Sequence, residues 1–184
     1  MTYKLDIADI SRELELFPVS PDMSIAAFIL FGDVELTQKC AAELIKIVPE
    51  HDIMITAEAK SIPLIHEMAR QMGKNEYIIA RKGEKVYMKN VLKVSVNSIT
   101  TKHEQTLCIG EKEKKLMEGK RVLIVDDVIS TGDSLLAIEE LVLAAGGIIV
   151  GKAAVLAEGK ASDRKDISFL APLPLFDSEG NVLP

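Results

Sequence analysis

The chain has 184 residues, of which 48% are hydrophobic and 27% are charged, and its formal net charge is −6. This length and composition predict a soluble protein with one domain over residues 1–184 and a core that needs neither metals nor disulfides. The acidic balance argues against a nucleic-acid surface, and no apolar run approaches the length of a membrane span.

The first half of the chain alternates between predicted helices and strands. Residues 3–16 have a helix-like pattern, with Leu5, Ile10 and Leu14 on related faces, and the proline-containing residues 17–21 end it. Residues 25–31 predict a strand or a buried sheet edge. The patterns that follow predict, in order, a helix over residues 36–48, a strand over 52–56, a helix over 61–72 and a strand over 77–80.

The second half adds two extended runs and then returns to alternating strands and helices. The runs cover residues 91–96 and 105–109, and the polar residues 97–104 between them predict a hairpin or loop. Residues 112–115 mix charge signs and are interpreted as a solvated turn. The remaining patterns predict a strand over residues 122–125, a helix over 134–145, and strands over 148–157 and 167–170. This order predicts an α/β fold with a doubly wound parallel sheet and an inserted hairpin.

The two cysteines indicate a reducing compartment. Cys40 falls in a helical pattern and Cys108 in a strand pattern, and the pair has no metal-ligand spacing. We interpret both as buried thiols, so a cytoplasmic protein is expected.

A pair of carboxylates follows the most apolar strand of the chain. Residues 122–125 are all apolar and run directly into Asp126 and Asp127. A continuous apolar run is typical of a central strand buried on both faces of a parallel sheet. Because ligands bind beyond the carboxyl ends of such strands, we expect this pair to take part in the chemistry.

The loop behind the carboxylates is suited to a phosphate. Gly132 allows a close approach of the backbone, and Thr131 and Ser134 offer hydroxyl groups. A helix that starts near Asp133 or Ser134 presents unpaired N–H groups and the positive end of its dipole. Two carboxylates beside an anion cradle therefore predict a sugar-phosphate ligand.

Other classes of protein also place acidic pairs in such positions. A response-regulator receiver domain needs four more strand–helix units after its Asp-Asp pair, and only 57 residues follow Asp127. A Walker A loop is absent, because Arg121 stands where that motif needs Ser or Thr. An acidic pair that merely caps a helix remains the structural alternative.

Residues 125–134, VDDVISTGDS, resemble the phosphoribosyl-pyrophosphate motif of type I phosphoribosyltransferases. The resemblance implies the type I fold, with a small N-terminal hood over about residues 1–35 and a core over about 36–172. It implies Mg²⁺ that is carried by phosphoribosyl pyrophosphate rather than held by the protein directly. It also implies that Asp126 and Asp127 act in catalysis and that the ribose and 5-phosphate are bound by Asp126, Asp127, Val128, Ser130, Thr131, Gly132, Asp133 and Ser134.

Two further segments resemble the pyrophosphate sites of adenine phosphoribosyltransferases. Residues 55–61 leave a strand through small residues and a lysine, and the resemblance implies a strained or cis peptide between Glu58 and Ala59. Lysine at 60 replaces the usual arginine, and Ser61, which also suits a helix N-cap, replaces the usual glycine. A basic pair follows the next strand, although such a pair can also be plain surface charge. The implied pyrophosphate contacts are Ala57, Glu58, Ala59, Lys60, Arg81 and Lys82.

The lid and the base site follow the family less closely. Residues 97–104 correspond to a hairpin that closes over the transition state, where Glu104 is either a catalytic carboxylate or a solvated charge. The strand over 148–157 ends at Ala157 and Glu158, without the lysine with which hypoxanthine–guanine enzymes contact a 6-oxo group, and this favours adenine. The base-binding candidates in the hood are Phe17, Ile25 and Ala26.

The sequence therefore predicts an enzyme that transfers ribosyl-5-phosphate from phosphoribosyl pyrophosphate to a purine base, with adenine favoured, giving AMP and pyrophosphate. The expected partners are these small molecules and a second copy of the chain in a homodimer, with no nucleic acid and no membrane. Two alternatives stay open: an enzyme for xanthine or another base, and a non-catalytic regulator that senses phosphoribosyl pyrophosphate.

Overall fold

The computed structural model describes residues 1–97 and 104–183. In this part of the chain, the strands and α-helices are β1 (Thr2–Ile7), β2 (Ile10–Ser20), β3 (Met23–Ala26), α1 (Val34–Ile47), β4 (Ile53–Ala57), α2 (Ile62–Gln71), β5 (Ile78–Ala80), β6 (Leu92–Asn97), β7 (Glu104–Ile109), α3 (Glu111–Met117), β8 (Arg121–Ile129), α4 (Asp133–Ala144), β9 (Ile148–Glu158) and β10 (Ser168–Leu173). A 3-10 helix, Gly159–Asp163, joins β9 to the segment before β10.

A parallel sheet in the order β10-β9-β8-β4-β5 forms the centre of the described structure. Both faces of this sheet are covered by apolar clusters, and alternate residues of the apolar run before the acidic pair belong to one cluster or the other. Leu123 and Val125 pack into a cluster with α1, α2 and the N-terminal strands, whereas Val122 and Ile124 pack into a second cluster with α4 and β7. The predicted α/β fold with a doubly wound parallel sheet is confirmed.

A crevice opens where β4 and β8 separate. The two strands pair from Ile53 with Val122 to Ile55 with Ile124, and beyond this point β4 continues only beside β5 while β8 continues beside β9. The predicted end of the strand at residue 125 is wrong, because β8 runs on to Ile129. The acidic pair therefore lies within β8, at the edge of a crevice, and not beyond the end of the strand.

The helix predicted over residues 3–16 is wrong. This segment is an antiparallel hairpin in which Ile7 pairs with Ile10, and Ala8 and Asp9 form its turn with φ of 50° and 59°. Two consecutive residues with positive φ are typical of the tight turn whose twist matches that of a β-hairpin. Pro18 does not end the strand, because β1 pairs with β2 no further than Glu15 and the missing N–H at Pro18 costs no bond on that side.

Two smaller predictions also differ from the structure. Residues 112–115 are not a turn but part of α3, where Glu113 accepts the N–H of Gly110 at 3.0 Å and Met117 anchors the helix in the core. The strand expected over residues 25–31 is β3, which ends at Ala26. The other predicted helices and strands lie where they were expected, including the antiparallel β6–β7 ribbon.

Candidate active site

The crevice between β4 and β8 contains a cavity of about 320 Å³. Two stretches that are far apart in sequence form most of its walls: the loop after β4, and the second half of β8 with the loop that follows. One residue after β5 and one on β7 complete them. The lining residues are Ala57, Glu58, Ala59, Lys60, Ser61, Lys82, Leu107, and the continuous stretch from Asp126 to Leu135. The structure thus brings together the predicted ribose, phosphate and pyrophosphate segments in one cavity.

The loop between β8 and α4 presents a helix N-terminus to the cavity. Gly132 has φ of 89° and is the N-cap of α4, whose first residue is Asp133. The Oγ1 of Thr131 donates a hydrogen bond to Oδ2 of Asp133 at 3.0 Å, which holds the turn. The positive end of the α4 dipole, together with the backbone N–H groups of the first helical turn, makes this loop suited to a phosphate group.

The two carboxylates lie side by side at the mouth of this loop. Asp127 is 5% exposed, and its N–H donates to Oδ1 of Asp126 at 2.9 Å. Within the described residues, Oδ2 of Asp127 is buried without a hydrogen-bond partner. A buried carboxylate oxygen without a donor is costly unless a ligand supplies one. The pair is therefore arranged to accept hydrogen bonds from hydroxyl groups.

Burial controls the protonation of the first carboxylate. Burial, and then the negative charge of Asp127, raise the pKa of Asp126 to about 7, although a hydrogen bond from Ser61 opposes the shift. Near neutral pH the pair can therefore carry a proton.

Ser61 is a site residue that the motif did not reveal. Its Oγ lies 2.6 Å from Oδ1 of Asp126 and 3.0 Å from Oδ1 of Asp127, and it accepts the N–H of Asp127 at 2.9 Å. In the sequence alone, Ser61 is a departure from the usual glycine and a candidate helix cap. Its contact with β8 depends on the strand order, which no local sequence signal specifies.

The loop after β4 has the geometry that the sequence predicted. The peptide bond between Glu58 and Ala59 is cis, so that expectation is confirmed. The Oε1 of Glu58 lies 3.3 Å from Nη2 of Arg81, and its Oε2 accepts the N–H of Lys82 at 3.2 Å. Lys60 and Lys82 line the cavity, whereas Arg81 is turned toward Glu58 and is not among the lining residues.

Most of the chain matches one known protein family. A family model described as the phosphoribosyl transferase domain matches residues 35–172, which is well over half of the chain. The chain belongs to the phosphoribosyltransferase family.

Curated relatives and solved structures agree with this assignment. This phosphoribosyltransferase is 24% identical over 159 residues to the adenine phosphoribosyltransferase of Rhodospirillum rubrum, covering 83% of this chain and 86% of that protein. It is 34% identical over 128 residues to the hypoxanthine/guanine phosphoribosyltransferase of Methanotorris igneus, covering 68% of this chain and 66% of that protein. The crystal structure of adenine phosphoribosyltransferase from Thermoanaerobacter pseudethanolicus matches with a TM-score of 0.68 at 22% identity, covering 86% of this chain and 95% of that one. That structural likeness shows the fold, and the predicted type I fold is confirmed.

The predicted base-binding residues lie apart from the cavity of this phosphoribosyltransferase. Phe17 and Ile25 face each other in the β2–β3 pair, and Ala26 is 3% exposed within the apolar core. None of these three described residues is among those that line the cavity. Their assignment to the base stays a prediction.

A second cavity, of about 450 Å³, borders the phosphate loop and shares Ser130 and Thr131 with the first. Glu158, Lys160 and Arg164 supply its charged side chains. The end of β9 at Glu158, where the sequence favoured adenine, thus borders the phosphate loop.

The predicted lid of this phosphoribosyltransferase is described in part. Residues 98–103 lie outside the described residues, and so does the side chain of Glu104, although the backbone of this residue begins β7. The role predicted for Glu104 is therefore untested.

In the described part of the chain, no group of three or more His, Cys, Asp or Glu residues is placed to hold a metal ion. The described helices also include none that is long and apolar enough to cross a membrane.

Proposed function

We propose that this phosphoribosyltransferase transfers the 5-phosphoribosyl group of phosphoribosyl pyrophosphate to a purine base, with adenine as the favoured acceptor. One observation carries the proposal: the acidic pair, the phosphate loop and the loop after β4 line a single cavity. A sugar that bears a phosphate at one end and a pyrophosphate at the other requires those three groups at once.

The substrate is proposed to lie along the crevice. Asp126 and Asp127 accept hydrogen bonds from the two ribose hydroxyls, and residues 130–134 bind the 5-phosphate through the α4 N-terminus. Lys60 and Lys82 line the far wall, where their charges would stabilise the pyrophosphate as negative charge develops on it. Arg81 supports that wall by its ion pair with Glu58.

Magnesium is proposed to enter with the substrate. The residues fit such an arrangement, since Oδ2 of Asp127 has no partner among the described residues and the acidic pair can orient a hydrated cation through water. Bound Mg²⁺ would neutralise charge on the pyrophosphate. The chain's own contribution is to hold the ribose and to keep the pyrophosphate beside Lys60.

The preference for adenine rests on the second cavity. Glu158, at the end of β9, offers a carboxylate that accepts hydrogen bonds from an exocyclic amino group and would repel a 6-oxo group. Lys152, near the middle of the same strand, forms ion pairs with Glu139 at 3.1 Å and Asp166 at 2.7 Å. The similarity to the hypoxanthine/guanine enzyme of Methanotorris igneus keeps a 6-oxopurine as the second candidate.

Further expectations belong with this proposal. Glu104 is proposed as a catalytic carboxylate on the lid, and Phe17, Ile25 and Ala26 as part of the base-binding hood. We also propose a cytoplasmic homodimer, which is consistent with two free cysteines and with the exposed apolar side chains of Val86 and Tyr87. Sedimentation of the purified protein tests the dimer.

The function is tested by pyrophosphate release with phosphoribosyl pyrophosphate, magnesium and one base at a time: adenine, hypoxanthine, guanine, xanthine, orotate or uracil. We expect release with adenine. Release with hypoxanthine or guanine instead would keep the transfer and replace the acceptor. No release with any base, together with calorimetric binding of phosphoribosyl pyrophosphate, would identify a regulator.

The acidic pair is tested by Asp127→Asn. We expect this variant to lose at least about tenfold in turnover and to bind phosphoribosyl pyrophosphate more weakly, because an amide cannot replace both acceptor oxygens of the carboxylate. Asp22→Asn, at an exposed position that lines neither cavity, is the matched control and should be fully active. Full activity of Asp127→Asn would remove the acidic pair from the mechanism.

A further inference from the structure

Ser61 occupies a helix N-cap but does not cap its helix. An N-cap serine usually accepts a hydrogen bond from the N–H of the second or third helical residue, which stabilises the helix. Within α2, all of which the structure describes, no N–H group bonds to the hydroxyl of Ser61. The side chain turns instead toward the cavity, where it contacts both carboxylates.

The hydrogen bonds of Ser61 join the two walls of the crevice. The Oγ–H group has one proton to donate, and its two candidate acceptors are Oδ1 of Asp126 at 2.6 Å and Oδ1 of Asp127 at 3.0 Å. Its lone pairs accept the N–H of Asp127 at 2.9 Å. These contacts link the loop after β4 to β8 just beyond the point where the two strands cease to pair.

Ser61 is also shielded from water. It is 1% exposed, so its three polar contacts lie in an environment of low dielectric constant, where each is stronger than at a surface. A hydroxyl in this setting fixes the orientation of its partners. The hydroxyl thus fixes the carboxylate that accepts its proton, and its bond from the N–H of Asp127 fixes the backbone between the two carboxylates before any ligand enters.

We propose that Ser61 is a positioning residue for phosphoribosyl transfer, which orients Asp126 and Asp127 toward the ribose hydroxyls and couples them to the pyrophosphate loop. This inference rests on the proposed function, because it assigns the carboxylates to the ribose. It predicts that Ser61 acts on substrate binding through the carboxylates and makes no required contact with the base.

The electrostatic setting gives the proposal a pH signature. Around the cavity, Asp126 is faced by Asp127 on its own strand, by Glu58 and Lys60 from the loop after β4, by Lys82 after β5 and by Asp133 at the start of α4. The hydrogen bond from Ser61 lowers the pKa of Asp126 against the upward effect of burial. Without the hydroxyl this pKa rises, so the ionised form that accepts ribose hydroxyls is reached only at higher pH.

The test compares Ser61→Ala with Ser61→Thr, and measures kcat and KM for phosphoribosyl pyrophosphate between about pH 6 and about pH 9, the range that brackets the pKa of Asp126. We expect Ser61→Ala to raise this KM about tenfold, the effect of losing one hydrogen bond to a charged group. The acidic limb of kcat/KM should move to higher pH, while the KM for the base stays unchanged. Ser61→Thr keeps the hydroxyl, so its KM for phosphoribosyl pyrophosphate and the acidic limb of its kcat/KM profile should both match those of the wild type.

The matched control is Thr37→Val, which removes another buried hydroxyl, one that donates to the carbonyl of Asp33 at 2.7 Å and does not line the cavity. Thermal unfolding of all three variants shows whether the proteins are folded. An unchanged pH limb in a folded Ser61→Ala variant would overturn the proposal, as would a Ser61→Thr variant no better than Ser61→Ala. Failure of the proposed function itself would be separate, since the wild-type protein would then release no pyrophosphate with any base.

Discussion

Gly132 determines how closely the phosphate loop can approach a ligand. Its φ of 89° lies in the left-handed region, which favours glycine, and a Cβ added there would lie 2.8 Å from Nη1 of Arg164. The guanidinium of Arg164 is itself held by Asp166, to which it donates at 2.9 Å and 2.7 Å. The loop is therefore confined on one side by a fixed cation.

Gly132→Ala is expected to lower both stability and substrate affinity. The left-handed backbone should cost about 1 kcal/mol, and the new methyl group should weaken binding of phosphoribosyl pyrophosphate because it stands on the phosphate loop and fits only if the Arg164 side chain moves. Gly119→Ala is the matched control, because Gly119 has φ of 68° and a Cβ there meets no described atom within 4 Å. Calorimetric titration should show normal affinity for the control, and an equal loss in both variants would contradict the argument.

The raised pKa of Asp126 lowers the stability of the folded protein at neutral pH. Its pKa rises from 3.8 to about 7 on folding, so the folded protein holds a proton that the unfolded chain releases, and stability falls as pH rises from about 4 to about 7. Asp126→Asn should therefore raise the unfolding midpoint by about 5 °C at pH 8, and by less at pH 5, while abolishing turnover. Thermal scans at the two pH values check this; a larger gain at pH 5 would show that the sign is wrong.

At the scale of residues, the sequence predicts what is contiguous and misses what the fold brings together. Asp126 to Ser134 form one uninterrupted segment, so their shared role could be inferred from spacing. Ser61 reaches Asp126 only because β4 and β8 are neighbours in the sheet, and the pairing of Arg81 with Glu58 depends on β5 lying beside β4. Such contacts require a strand order that a single sequence does not specify.

At the scale of elements, the long apolar patterns predicted the core strands and helices correctly, whereas the N-terminal segment was predicted to be a helix and is a hairpin. Leu5, Ile10 and Leu14 fit a helical face, but the buried residues Leu5 and Ile7 alternate with exposed ones, as a strand requires. The turn at Ala8 and Asp9 lacks glycine, which removed the strongest hairpin signal. Helix α3 was missed because its residues are mostly charged, and Met117 is its buried anchor.

The start of α1 links the N-terminal strands to the core. Asp33 accepts the N–H of Leu36 at 3.0 Å and is bound by Arg12 of β2 at 2.6 Å. The Arg12 guanidinium, and then the cap bond, hold the pKa of Asp33 below its usual value of 3.8 despite burial. A single carboxylate thus serves as a helix cap and as an ion-pair partner.

The variants Asp33→Ala and Asp33→Asn should separate these two roles. We expect Asp33→Ala to lower the free energy of unfolding by about 2 kcal/mol, and Asp33→Asn by about half as much, because asparagine caps a helix but cannot form the ion pair. The contribution of a carboxyl with a lowered pKa is present above pH 3.8 and is lost as the pH falls through the folded-state pKa. Urea denaturation should show Asp33→Asn converging with the wild type in acid, where the ion pair is lost, whereas Asp33→Ala should stay less stable because a protonated Asp33 still accepts the cap bond from Leu36.

At the scale of the whole molecule, the N-terminal strands and the parallel sheet share one apolar cluster. Leu5 and Leu14 of the hairpin pack in the same cluster as Leu123 and Val155 of the sheet. We propose on this basis that residues 1–184 fold as one cooperative domain. No local sequence pattern could indicate this packing, since it joins opposite ends of the chain.

Leu14→Ala tests that cooperativity. Leu14 is 6% exposed, so its truncation should cost about 2 to 5 kcal/mol, whereas Val19→Ala, at a residue that is 51% exposed, should cost much less. Circular dichroism and amide exchange should report the same unfolding midpoint for Leu14→Ala. Loss of exchange protection in β1 and β2 before loss in β8 would instead indicate two independent units.

The strand order also has a consequence for synthesis on the ribosome. Strand β4 is completed about 70 residues before the end of β8, the strand that covers one of its edges, whereas β5 follows soon and covers the other. At a typical rate of translation, β4 waits about 4 to 14 seconds with that edge open. The strand is almost wholly apolar, and an open apolar edge is a template for aggregation. The yield of soluble protein should therefore depend on what shields Ile53–Ala57 until its neighbour emerges.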